Sequence, residues 1–321
     1  MRRRDEGDTD VNHWQARARP LPATTAAAVM AAALLAGCSS NQPPSPAAPF
    51  AATRNVHPLT DAQLLRISDA QQVLLRRCMN RNGFAYWQAQ RLSLEESRTA
   101  GYVSDDVNWA RKHGYGSRIT VKDDRSRRHN PNIAYHASLS AAQRGKCDAA
   151  MDGGLDAPVI TADLPRGGIV KKREGGCVAE SEKQLYGDVR GWFRADKLAS
   201  SLQALYVPKI MADPKFTTTL SAWSQCMNRT GHPFTDPGAA RQAAAQQSLQ
   251  LDAAQAFRAE RDLAVADATC ARRTSLTAIG KERENHYIKE LPRTYRQALN
   301  LSRAFQHRAL QRAAALAPPR T

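Results

Sequence analysis

The sequence predicts a mostly α-helical protein with disulfide staples, a long C-terminal helix and room for one small β-hairpin. Three observations carry this. Alanine and arginine are abundant while aromatics make up only 6% of the chain, and both residues cost a helix little entropy. Apolar residues recur at helical spacing between recognisable caps. Five cysteines besides Cys38 are available to staple one element to another.

The first helix begins at Leu59-Thr60-Asp61, with Thr60 as its N-cap. Leu64, Ile67, Gln71, Leu74, Leu75 and Cys78 follow at helical spacing, and Gly83 ends the run. A shorter helix covers Ser104 to His113 and closes at Gly114. Residues 119–132 read as charged and irregular. Ser140 to Met151 is a third helix, stopped by Gly153-Gly154. Val159-Ile160-Thr161 and Ile169-Val170 flank a Leu164-Pro165-Arg166-Gly167-Gly168 turn, the pattern of a hairpin. Gly175-Gly176-Cys177 opens a helix running to about Arg190. Lys197 to Met211 and Pro214 to Arg229 are helical. From Leu251 to Ala315 the pattern reads as one or two long helices bent near Pro292.

The N-terminus carries an address. Arg17 and Arg19 precede an uncharged, alanine-rich run from Ala23 to Gly37, 15 residues long. A bilayer span needs about 20 residues, so this length suits an export signal instead. The run ends in Leu35-Ala36-Gly37-Cys38, which resembles the bacterial lipoprotein signal. The resemblance implies cleavage before Cys38 and lipid on its sulfur, with two acyl chains giving stable attachment. The acidic stretch Asp5–Asp10 departs from the usual signal and points to a start codon downstream of Met1. Ser39 to Pro58 is proline-rich, hence an extended, solvated spacer. The organisation is a signal over 1–37, a lipidated linker over 38–58, an N-terminal helical half with the hairpin over 59–213, and a C-terminal helical half over 214–321.

Five arginines and four acids precede residue 38, so 46 basic and 30 acidic side chains fall to 41 and 26 in the mature chain. That excess favours polyanions. Nucleic acid is not expected as a partner, because the chain is exported and lacks a basic stretch with interleaved aromatics. Membrane lipid through Cys38, an anionic cell-wall polymer or an envelope protein is the expected company.

Catalytic and cofactor signatures are weak. No closely spaced zinc-ligand motif, nucleophile elbow or phosphate-cradling loop occurs, so no metal, cofactor or catalytic residue is assigned. Glu282, His286 and Glu290 share a helix face but sit among Lys281, Arg283 and Lys289. The pairs Glu95-Glu96, Asp105-Asp106 and Asp123-Asp124 read as helix starts and salt links. Trp109, Trp192, Trp223 and Phe193 read as core, and Trp87 as exposed.

Cys-Met-Asn-Arg-x-Gly occurs twice, at Cys78–Gly83 and Cys226–Gly231, an offset of 148 residues. The repeat predicts two similar halves. Together with the Gly114-Tyr115-Gly116 turn, Gly175-Gly176-Cys177 with Ala179-Glu180, Trp223, and Ala264-Val265-Ala266-Asp267 before Cys270, Glu284 and Tyr287, it resembles a family of actinobacterial secreted proteins and lipoproteins over roughly residues 60–315. The resemblance implies architecture and location and carries no activity. Five cysteines follow Cys38, and two bonds among five allow 15 pairings. The family pattern implies Cys78–Cys177 and Cys226–Cys270. Cys147, where the family usually has no cysteine, is then a free buried thiol. A Cys78–Cys147 bond with Cys177 free is the rival. The functional expectation is a membrane-anchored, extracytoplasmic binding or interaction module. An accessory subunit of an export or efflux assembly, or a wall-modifying enzyme, stands behind it.

Overall fold

A computed structural model describes residues 56–88, 91–98 and 101–318. Cys38, the signal and most of the spacer lie outside the described residues. The chain is mostly helical, with one two-stranded antiparallel hairpin and two disulfides. Among the described residues no helix is long and apolar enough to cross a membrane.

The order is α1 (Asp61–Arg81), α2 (Val107–His113), α3 (Ser117–Arg128), α4 (Pro131–Ser138), α5 (Ala141–Asp152), β1 (Val159–Asp163), β2 (Ile169–Arg173), α6 (Gly176–Tyr186), α7 (Val189–Ser201), α8 (Gln203–Ala212), α9 (Pro214–Arg229), α10 (Pro237–Ser248), α11 (Ala253–Arg273), α12 (Leu276–Glu290) and α13 (Arg293–Ala313). The expected caps are present. Thr60 and Ser140 each form a capping box with a glutamine at N3. Asp213 accepts from the Lys215 and Phe216 amides and starts α9 at the expected residue.

Several stretches differ from expectation. The single helix expected over Lys197 to Met211 is instead the end of α7 and most of α8, which meet at Leu202. Residues 119–132 are not irregular: α3 fills most of them. It buries none of its residues, so it has no apolar period to read, and it is held by end contacts and by pairs such as Asp123–Arg127. The α6 helix stops at Tyr186, because Gly187 turns left-handed (φ 87°) and Asp188 caps α7. Residues 237–248 form α10, started by Asp236 and Pro237. The C-terminal stretch is three helices, broken at Ser275 (φ 58°) and at Leu291-Pro292. Leu276 is fully buried just past the first break and keeps the apolar stripe running, which hides the interruption.

Two main cores hold the molecule. One surrounds Trp223, Phe216, Met227 and Leu276, between α8, α9, α11 and α12. The other joins α1, α6, α7 and α13 through Ile67, Leu74, Leu185, Trp192 and Phe305. Tyr186 stacks on Trp192 at 4.0 Å, and Phe305 meets Trp192 edge-on. The boundary drawn at 213/214 therefore falls at a helix cap, yet α13 packs on elements of the first half and α11 on α2.

Each Cys-Met-Asn-Arg-x-Gly copy behaves alike locally. Met79 and Met227 are buried, Gly83 and Gly231 are left-handed, and the residue after each glycine donates its amide back to the methionine carbonyl. The partners differ. Cys78 bonds Cys177 at the start of α6, whereas Cys226 bonds Cys270 near the end of α11. The motif repeats; the half does not. At the first staple, a Cβ on Gly176 would lie 2.6 Å from the Ala150 carbonyl oxygen, so only glycine lets α6 start against the end of α5.

Candidate functional site

Helix α11 is the spine of the candidate site. Its inner face carries Leu263, Ala264, Ala268 and Cys270, all buried, together with two buried acids, Glu260 and Asp267, seven residues apart. Small residues on α2 and α11, Ala110, Ala264 and Ala268, let the two helices approach closely. This brings the turn between α2 and α3 against both acids.

Glu260 holds the turn. Its Oε1 accepts from the backbone amides of Tyr115 (2.7 Å) and Ser117 (3.1 Å), and its Oε2 accepts from the Ser117 hydroxyl. Gly114, in the left-handed region at φ 61°, leaves the space: a Cβ there would sit 2.9 Å from Glu260 Oε1. Asp267 holds the other side. Its Oδ2 accepts from the Tyr115 hydroxyl (3.1 Å) and its Oδ1 from the Trp223 indole N–H (3.0 Å). Thus Trp223, Tyr115 and Asp267, separate patches of the family-like pattern, meet in one buried knot. Arg241 reaches the tyrosine ring, 5.8 Å from its centroid.

Burial pushes the Asp267 carboxyl up to about 6, against the opposing influence of Arg241 and of the Tyr115 and Trp223 hydrogen bonds. Burial, reinforced by the neighbouring Asp267 charge, also raises Tyr115 well above the usual phenol range. Asp267 is only 3% exposed, so no substrate reaches it. Its chemistry is positional. Because this acid binds its proton more tightly folded than unfolded, it stabilises the fold at low pH, and that contribution is lost as pH rises through the window from about 4 to 6. A rise from 3.8 to about 6 corresponds to about 3 kcal/mol. Asp267→Asn keeps an acceptor for Trp223 and is expected to abolish this component. The difference between wild-type and variant unfolding free energies, measured by urea titration from pH 4 to 7, should grow with pH in the variant's favour. A flat difference would rule the assignment out.

A second face of the same helix is half-buried. Phe257, Arg261 and Val265 recur every fourth residue of α11 and so share a face. The Arg118 guanidinium from α3 lies 3.6 Å from the centroid of the Phe257 ring. Farther along, Arg111 of α2 joins Arg261, Asp262 and Val265 around a broad, solvent-open depression. Arg111 bonds Asn108 and Arg261 bonds Asp262, each a neighbour on its own helix. The knot fixes the walls of this groove, since Glu260 and Asp267 tie the α2–α3 turn to α11. An open depression lined by two guanidinium groups can receive an anion.

The sequence-predicted residues fall as follows. Cys78 is bonded to Cys177 and Cys226 to Cys270, and Cys147 is a buried free thiol whose acidity burial suppresses. Cys147 packs in the same cluster as the first staple. The Glu282, His286 and Glu290 set does not converge: Glu282 pairs with Lys215 and His286 with Glu290. Among the described residues no group of three side chains is placed to hold a metal. Glu95 pairs with Lys112 and His113, Glu96 with Lys122, and Asp106 caps α2. Trp192, Trp223 and Phe193 are core, Trp109 is half-buried, and Trp87 is 43% exposed. Arg111, Arg118 and Arg261 were not foreseen; the Phe257, Arg261 and Val265 spacing was the available signal.

No family model, curated protein or solved structure matches the chain.

Proposed function

We propose that the chain is a lipid-anchored, extracytoplasmic lipoprotein of the cell envelope that acts as a non-enzymatic binding module. The lipobox Leu35-Ala36-Gly37-Cys38 supports the location. The arginine-walled groove supports the role: its guanidinium groups are set on helices tied by a buried knot and a disulfide, and preorganised donors recognise anions at low entropic cost. The bonding of four of the five cysteines that follow Cys38 supports an oxidising compartment.

Acylation tests the anchor. Grown with labelled palmitate, cells producing the native chain are expected to yield labelled protein in the membrane fraction. Cys38→Ser should abolish the label and release the protein. An unlabelled native chain would sink the anchor and the location with it.

A further inference from the structure

We propose that the groove between α2 and α11, headed by α3, binds one strand of a linear anionic wall polymer, its phosphate or carboxylate groups lying between Arg111 and Arg261 and running toward Arg118. This rests on the reading of the protein as an envelope binding module and adds the partner and its seat.

The depression is open to solvent and is lined by Arg111 of α2 and by Arg261, Asp262 and Val265 of α11, so a single extended strand can lie against both guanidinium groups. Charge selects an anion. Among the described residues, Arg111 has a neutral asparagine partner, Arg261 has the adjacent Asp262, and Arg118 lies on the Phe257 ring without a carboxylate partner. Each guanidinium carries five N–H donors, more than these contacts use, and the group's fork geometry suits phosphate and carboxylate. Arginine flattened on an aromatic ring is also held in place before the ligand arrives. Val265, the apolar member of the lining, suits the carbon backbone of a polyol or sugar chain. Asp262 is the opposing element. Its carboxylate partly neutralises Arg261 and weakens any anion there.

The test measures capture of a purified poly(glycerol phosphate) by the full-length protein in detergent, alongside vesicles containing one part phosphatidylglycerol in about four, a surface charge that arginines sense. Arg111→Ala with Arg261→Ala is expected to weaken polymer binding on the order of tenfold, the sum of two exposed charge contacts. Asp262→Asn should tighten it severalfold. Arg76→Ala with Arg77→Ala removes two exposed arginines from α1, which packs on α6 and α13 and not on the groove. That pair should change affinity by less than about twofold. Unchanged melting temperatures certify that the variants fold. Equal losses from both arginine pairs would overturn the proposal in favour of diffuse charge attraction. Capture of vesicles but not polymer would overturn it in favour of the membrane surface, and capture of neither would end it. Because capture is read in solution, it succeeds or fails separately from acylation of Cys38.

Discussion

Replacing Cys78 and Cys177 together by alanine is expected to lower the unfolding free energy by about 4–5 kcal/mol. The bond joins residues 99 apart. In the chain-entropy view, a cross-link over so long a loop removes much of the unfolded chain's freedom. The Cys226–Cys270 bond spans 44 residues, and its removal should cost slightly less, about 4 kcal/mol on the same argument. Both cysteines of the first staple are replaced for a reason. Cys147 shares their buried cluster, so a lone Cys78 would have a thiol nearby to bond with. Urea unfolding of the oxidised wild type and the double variant reads the difference. A loss below about 1 kcal/mol would show that the unfolded chain is already compact where this loop closes.

The sequence revealed elements whose signals are local. Thr60, Ser140, Asp213 and Pro214 announce their helices, because a cap is chemistry confined to a few neighbouring residues. Helix α3 announces nothing, because a helix that buries no side chain has no apolar stripe. The break at Ser275 was equally silent: a non-glycine residue takes the left-handed conformation while the buried stripe continues through Leu276. The staples followed from family resemblance and not from spacing, which left all 15 pairings open. The repeat misled in an instructive way, since a motif that caps a helix and places a cysteine says nothing about which helix that cysteine will meet. As for the candidate site, Tyr115, Trp223 and Asp267 were visible as family-like residues, but their meeting was not. Glu260 was invisible, being one glutamate among many until the fold brings the Tyr115 amide, 145 residues away in sequence, to it.

Glu260→Ala is expected to destabilise the protein by about 3–5 kcal/mol and to loosen the groove. The cost comes from the donors left behind. The Tyr115 and Ser117 amides and the Ser117 hydroxyl all point at this one carboxylate, and a buried donor stripped of its acceptor costs about 1–3 kcal/mol. Glu260→Gln offers a sharp contrast. Its amide oxygen still accepts from both backbone N–H groups and its NH2 can donate to the hydroxyl, so only the charge assistance is lost, about 1 kcal/mol. Hydrogen exchange gives the local readout. In the alanine variant the Tyr115 and Ser117 amides should exchange far faster, while amides in the stapled helices α1 and α9 remain slow. Equal behaviour of the two variants would mean that the side chain acts through its charge rather than as an acceptor. If the turn does loosen, Arg111 and Arg118 lose their fixed positions relative to α11. Polymer capture should then weaken in the alanine variant although none of the groove arginines has been changed, a coupling that a groove indifferent to the knot would not display.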